Sequence, residues 1–462
     1  MKILLVVYDN DSYIHVFPMG VGYIASALRY EGHHVDIYNQ DVNHYPDEHL
    51  TTYLDNNIYD LIGIGLIAGY YQYLKLLKLS KAIDKTKNRP FYVIGGYGPS
   101  PEPEYFLKKT KADAVVIGEG ERTIADLVDA VGNKRTLDNI DGIAYWNGDS
   151  VIVNKHRELI KDIDSIPYPA YDLFPIEYYR LLRQEKSSNC DLIMPMMSGR
   201  GCTFKCTFCY RMDKGHRPRS NDGIIEEIKF LKKKYRINYV AFHDDLLMSS
   251  AERTLSLSED FIKAKLNIKW RCAGRLNFAR PELLKTMKRA GCIFIGYGIE
   301  SMDDEVLRNM KKGLTTNQIE KGIKATLSAG ISPGLFIMFG NIGDNEDTLN
   351  KAVNFLLKYD DGSELRTVRP VTPYPGSPLY YYAIEKGLLK DCEDFYENKH
   401  MNSDLLSVNF TELSDKEVYK CLLKANERLL ESYFEKKKQI SINNARRLYL
   451  ENDASFRGFR QT

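Results

Sequence analysis

Short apolar runs alternate with helical patterns through residues 1–150, and this alternation restricts the segment to a parallel sheet wrapped by helices. The strands expected are Ile3–Tyr8, Val35–Tyr38, Leu61–Leu66, Phe91–Gly95 and Ala114–Ile117. Between the first two, Val21, Ile24, Ala25 and Leu28 recur at helical spacing, and Gly32 stands where that helix would end. Ligands of such sheets bind beyond the carboxyl ends of the strands, where loops and helix N-termini present free N–H groups. Three glycine-bearing stretches fall there: Pro18-Met-Gly-Val-Gly22 around Gly20, Gly95-Gly-Tyr-Gly-Pro-Ser-Pro-Glu-Pro-Glu104, and Gly118-Glu-Gly-Glu-Arg-Thr123. Each alone is also what a plain strand-to-helix turn requires.

A second alternation starts near Leu192 and opens with a dense cysteine run. Cys202, Cys206 and Cys209 lie in Gly201-Cys-Thr-Phe-Lys-Cys-Thr-Phe-Cys-Tyr210. A C-x3-C-x2-C run offers three thiolates and no fourth. Structural zinc sites close on four protein ligands, and ordinary [4Fe–4S] clusters use four cysteines, so three point to a cluster with one iron open to a substrate or cofactor. Two other readings compete: buried thiols filling a core, and a non-catalytic zinc-binding module completed by His216 or His243. Core filling gives no reason for this spacing beside Gly201, Lys205 and Arg211.

With Phe208 before the last cysteine, the run matches the C-x3-C-x-aromatic-C motif and resembles the radical S-adenosylmethionine (SAM) superfamily. The resemblance implies a [4Fe–4S] cluster on Cys202, Cys206 and Cys209, with Phe208 as a SAM-binding residue. Its open iron would take the amino and carboxylate groups of SAM, and one-electron reduction would release a 5′-deoxyadenosyl radical. An external reductant such as flavodoxin or ferredoxin is implied as partner. About six βα units fit residues 191–390, with strands at Leu192, Tyr239–Phe242, Ile268–Cys272, Ile293–Gly296, Gly334–Met338 and Leu365–Val368. That count matches the family's partial barrel, whose site lies at the C-terminal strand ends. There the family holds the SAM amino group on an acidic residue, a role that falls on Asp244 or Asp245. Arg275 corresponds to a polar SAM contact. Gly296-Tyr-Gly-Ile-Glu-Ser301 resembles the family's Gly-x-Glu-Ser segment, which sets Gly296, Glu300 and Ser301 against SAM. Phe339-Gly-Asn-Ile-Gly343 corresponds to the adenine-side turn, and Thr372-Pro-Tyr-Pro-Gly-Ser-Pro378 to the loop closing the barrel.

Placed ahead of the cysteines, the three glycine loops look like the cobalamin (B12)-binding domain of radical SAM enzymes. Gly20, Gly95, Gly96, Gly118, Glu119 and Thr123 are the positions this implies for the corrinoid. None of the nine histidines stands in the Asp-x-His-x-x-Gly pattern of methionine synthase-type domains, so cobalamin would be held without that ligand. Where the family often reads Gly-Gly-x-His-Pro-Thr, this chain has Gly98 in place of the histidine. The chemistry implied is hydrogen abstraction from an unactivated carbon followed by cobalamin-assisted C-methylation. The alternative is a cobalamin-free dehydratase, deoxygenase or epimerase acting on a carbohydrate or polyol.

A chain of 462 residues, 44% hydrophobic and 27% charged, is long enough for two or three buried domains. Its formal charge of +2 argues against a nucleic-acid or anionic-membrane surface. The basic run Arg200, Lys205, Arg211, Lys214, His216, Arg217 and Arg219 is either solvated or holds an anionic substrate. No apolar stretch reaches the roughly 20 residues of a membrane span, Met1–Val7 is too short for a signal peptide, and eight scattered cysteines make no disulfide scaffold. A cytoplasmic enzyme with a small-molecule substrate, and neither nucleic acid nor membrane as partner, is expected. The fold class is α/β: a Rossmann-like doubly wound sheet over residues 1–150, an interdomain linker over 151–190, a partial (β/α)6 barrel over 191–390, and a helical region over 391–462. In that last region Val418, Leu422, Ala425, Leu429 and Phe434 form an apolar stripe, and the basic, aromatic segments Arg446-Arg-Leu-Tyr-Leu450 and Phe456-Arg-Gly-Phe-Arg460 are a candidate lid.

Overall fold

The computed structural model describes residues 1–11, 16–212, 215–453 and 455, so Lys214 and the 456–460 segment of the candidate lid lie outside the described residues. The first strands are β1 (Lys2–Val7), β2 (His34–Asn39), β3 (Leu61–Gly65), β4 (Phe91–Gly95) and β5 (Ala114–Val116). All are parallel, in the order β2-β1-β3-β4-β5. Alternate residues feed opposite faces. Leu4, Val6, Ile62, Ile64 and Ile94 enter one core, while Ile3, Leu5, Leu61 and Val93 enter the other. The helix Met19–Tyr30 covers the second face with Ala25 and Leu28, and Gly32 follows it at φ +83°. An antiparallel hairpin, β6 (Ile143–Asn147) and β7 (Ser150–Val153), extends the sheet past the expected boundary at 150.

The second sheet is built from β8 (Ile193–Met196), β11 (Tyr239–Phe242), β12 (Lys269–Gly274), β13 (Cys292–Glu300), β14 (Ser332–Phe339) and β15 (Arg369–Pro370), all parallel. It curls as a half-barrel in the order β15-β14-β13-β12-β11-β8. Between β8 and β11 a small antiparallel pair, β9 (Gly199–Arg200) and β10 (Arg217–Pro218), brackets the cysteine loop. The helix Asn221–Tyr235 is capped by Ser220, whose hydroxyl accepts the Gly223 N–H at 3.0 Å.

Most expected strands are met within a few residues, and the last one is displaced altogether. The sixth strand is Arg369–Pro370 rather than Leu365–Val368, because the Asn426 side chain takes both the N–H and the carbonyl of Val368, at 2.8 and 3.0 Å. After the barrel the chain returns to the first domain: Val371, Leu379, Tyr380, Phe395 and Tyr396 share a core with Tyr73 and Phe106. The rings of Tyr73 and Tyr396 lie 4.5 Å apart. The final helix, Asp415–Leu450, docks on the barrel through Val418, Leu422, Ala425 and Leu429, but Phe434 is 60% exposed and falls outside that stripe.

Candidate functional site

Cys206 is buried, Cys202 half-buried, and Cys209 reaches solvent. Burial pushes the Cys202 thiol up and Cys206 adds to this, while the Arg275 guanidinium opposes both. At Cys209 the surrounding protein atoms, then Cys206 and Glu300, push the thiol up to about 12 against the pull of Lys312. Neighbouring thiols of this kind become thiolates together only when a cation compensates their charge. Among the described residues, no three His, Cys, Asp or Glu side chains close on one metal ion. The donor set fits a three-cysteine [4Fe–4S] cluster.

Cations and carboxylates ring this loop at the barrel's strand ends. Arg275 stacks on Phe204, 3.4 Å from guanidinium carbon to ring centre, and its Nη1 lies 3.6 Å from the Cys206 sulfur. Its Nε donates to Asn277 Oδ1 at 3.2 Å and its Nη2 to the Lys312 carbonyl. Lys312 pairs with Glu300 at 2.8 Å, both buried, and sits 5.6 Å from the Phe208 ring centre. Glu300 holds φ +69° at a register shift in β13, and Gly298 beside it has no room for a Cβ, which would fall 2.2 Å from Glu300 Oε1. Gly296 is similarly confined by Phe336, and Ser301 is buried, its hydroxyl oxygen accepting the Asp303 N–H at 3.2 Å.

The two aspartates after β11 separate cleanly. Asp244 is buried and takes the Ser198 N–H at 2.6 Å together with the Ser198 hydroxyl. Burial pushes its carboxyl up to about 6. Asp245 reaches solvent; the protein atoms packed around its carboxyl raise it, against the Gly201 N–H, with a net rise.

At the first sheet, the strand ends carry glycine where space is short. Gly96 has φ +98°, and a Cβ there would meet the Leu66 carbonyl oxygen at 2.5 Å. Ser100 ties two loops together: its hydroxyl donates to the Gly96 carbonyl at 2.7 Å and accepts the Gly118 N–H at 3.1 Å. Gly95 packs on Val116, whereas Gly20 and Gly118 face open space. Around them the surface is apolar, with Ile67 68%, Tyr71 59% and Tyr97 41% exposed. An apolar face rimmed by backbone fits a corrinoid ring.

Two positions matched to the corrinoid are occupied otherwise. Glu119 accepts Arg200 at 2.8 Å, Arg217 at 2.9 Å and the Ile160 N–H at 2.8 Å, so its carboxylate is spent between the domains. Thr123 is fully buried and its hydroxyl bonds back to the Glu119 carbonyl at 3.2 Å. Arg200, Arg217 and Arg219 are likewise held by protein carboxylates, which removes them from any anionic-substrate surface. Lys312 and Ser198 belong to the site without any motif that announces them, and Phe204 lies inside the cysteine run.

Three sequence motifs meet at Gly376, in the loop that follows β15. At φ +87°, a Cβ there would lie 2.5 Å from the Tyr210 ring and 2.7 Å from Pro101. Tyr210 follows Cys209 directly and packs edge-on against Tyr97 of the glycine-rich loop, with centroids 6.1 Å apart. The Leu379 N–H reaches the Thr207 carbonyl at 2.9 Å. The cysteine loop therefore faces the glycine-rich loops of the first domain.

Comparison with known proteins agrees with this geometry. Residues 6–128 match the B12 binding domain and residues 196–356 the radical SAM superfamily. The uncharacterized methyltransferase PH0819 of Pyrococcus horikoshii is 31% identical over 401 residues, covering 84% of each chain. An anaerobic magnesium-protoporphyrin IX monomethyl ester cyclase of Rubrivivax gelatinosus is 25% identical over 91% of this chain and 80% of its own. The fold is shared with the radical SAM methyltransferase TsrM of Kitasatospora setae (TM-score 0.72, 15% identity, covering 93% and 88% of the two chains). It is shared equally with the cobalamin-dependent radical SAM enzyme OxsB (TM-score 0.72, 17% identity, 97% and 75%). The zinc-module reading falls with these matches, and the chain belongs to the radical SAM superfamily, as an enzyme with an N-terminal B12-binding domain whose cofactors are a [4Fe–4S] cluster, SAM and cobalamin.

Proposed function

We propose that the protein methylates an unactivated carbon of a small molecule bound between its two domains. The observation that carries this is the junction at Gly376, which sets the cysteine loop against the apolar strand ends of the first sheet. When bound, the cluster and SAM supply a carbon-centred radical by one-electron cleavage, and cobalamin supplies a transferable methyl group. The protein's own part is to hold and orient. Cys202, Cys206 and Cys209 take three irons. Asp245 accepts the SAM ammonium, since Asp244 is already engaged by Ser198 and acts by fixing the chain ahead of the cysteine loop. Arg275 lies against the Cys206 sulfur through Nη1 and is anchored by Asn277 and the Lys312 carbonyl, which places its charge to screen the cluster. Glu300 and Ser301 close the opposite wall, with Gly296 and Gly298 keeping β13 thin beside it. Ile67, Tyr71 and Tyr97, with Gly20, Gly95, Gly96 and Gly118, receive the corrinoid and keep water from it.

The methyl-transfer reading is supported by the methyltransferase named among the relatives. An external flavodoxin or ferredoxin would deliver the electron, and no helix among the described residues is long and apolar enough to cross a membrane. The test is anaerobic reconstitution with iron, sulfide and hydroxocobalamin, followed by desalting and absorption spectroscopy. Retention of about one equivalent of corrinoid with the cluster absorption is expected. A cluster without corrinoid would overturn methyl transfer.

A further inference from the structure

The Gly118–Glu121 turn reaches out of the first domain and grips both ends of the cysteine loop. Arg200, two residues before Cys202, gives Nη1 to Glu119 at 2.8 Å and Nη2 to Glu121 at 2.5 Å. Arg217, paired with Arg200 across the β9–β10 ladder, gives Nη1 to both oxygens of Glu119 at 2.9 Å and to the Ile160 carbonyl at 2.6 Å. All four side chains are largely removed from water: Glu119 is 7%, Glu121 9%, Arg200 12% and Arg217 14% exposed. The Arg200 guanidinium also lies 5.6 Å from the Tyr23 ring centre. A buried carboxylate with two guanidinium partners, as Glu119 has, defines direction as well as distance, which a solvated pair does not. The same turn is tied through Ser100 to the Gly96 loop of the apolar face.

We propose that Glu119 and Glu121 are positioning residues for the iron–sulfur cluster: they lock the base of the cysteine loop from the other domain. This rests on the assignment of the cluster to Cys202, Cys206 and Cys209. Loss of the Glu119 charge leaves Arg200 and Arg217 held only in part and frees the loop to move, while the glycines that face the corrinoid stay as they are.

Glu119→Gln, Glu119→Asp and Arg217→Gln are compared with the unaltered protein, each reconstituted anaerobically with iron, sulfide and hydroxocobalamin. Retained iron, retained corrinoid, the EPR signal of the reduced cluster, and the rate of tryptic cleavage within residues 201–216 of the cluster-free protein are measured. Expected are a roughly tenfold weaker hold on iron in Glu119→Gln, as for other outer-shell partners, with an altered EPR signal and unchanged corrinoid. Arg217→Gln, which leaves the first domain untouched, should reproduce this, and Glu119→Asp should restore most of it. Loop cleavage should rise in both charge-removing variants at an unchanged global melting temperature. Normal iron, EPR signal and cleavage rate in Glu119→Gln, or loss of corrinoid with the cluster intact, would overturn the proposal. Absence of a cluster from the unaltered protein would instead refute the cluster assignment, and the cleavage rates would still decide whether the clamp exists.

Discussion

Both sheets of this protein present the carboxyl ends of parallel strands, yet they finish them with opposite chemistry. At the first sheet the side chains beyond the strands are apolar and left in water, as with Ile67, Tyr71 and Tyr97. At the half-barrel they are charged and buried, with Lys312 on Glu300, Arg275 against Cys206, and Asp244 on Ser198. The first arrangement has little to lose in the empty protein and gains when a broad apolar ligand covers it. The second is held together by its own ion pairs and hydrogen bonds, and presents polar groups in fixed positions. One face is built to be covered, the other to hold charge.

Removing a charge should therefore cost the barrel most. Lys312→Met leaves Glu300 buried without its partner and should lower unfolding free energy by about 3–5 kcal/mol in denaturant titration, whereas the double variant with Glu300→Gln should recover much of it. The first sheet responds to backbone crowding instead: Gly96→Ala forces a Cβ to within 2.5 Å of the Leu66 carbonyl oxygen at φ +98° and should cost about 2–3 kcal/mol in the same titration. Asp244 gives a pH signature. Its carboxyl is raised to about 6 by burial, so the folded state binds more protons than the unfolded chain between pH of about 4 and 6. This contribution is complete below pH of about 4 and is lost as pH rises through about 6; across that window Asp244→Asn should flatten a fall of about 2 kcal/mol in the melting profile. Ile67→Ser and Tyr71→Ser should change stability by less than about 0.5 kcal/mol, since both side chains are already exposed, while reducing corrinoid retained after desalting. A large stability loss in these last two would erase the contrast between the faces.

Much of this architecture is legible along the chain because strands and loops are local. The continuous apolar run Ile3–Val6, buried on both faces of the sheet, and the spacing of the cysteines need no partner to be seen. The β6–β7 hairpin has a local signal as well, a Gly148-Asp149 turn between two apolar runs, with Gly148 at φ +60°. What sequence hides is the partner. Gly118-Glu-Gly-Glu121 has the same letters whether its carboxylates face a corrinoid or Arg200 and Arg217, and only the docked domains decide. Lys312 is one of two adjacent lysines, and nothing local marks it as the one that pairs with Glu300 twelve residues earlier. The last barrel strand shifted for the same reason: Asn426, far along the chain, claims the backbone of Val368.

The return of the chain to its first domain has a consequence for synthesis. Tyr73, Phe106 and their neighbours are complete in sequence by Val153, but the segment that covers them begins at Val371, 218 residues later. At ribosomal speeds of roughly 5–20 residues per second, the nascent chain carries that aromatic surface uncovered for about 10–40 s. The first domain thus leaves the ribosome as an unfinished half, and the interval before residues 371–399 arrive is when holding by a chaperone would matter most to this protein.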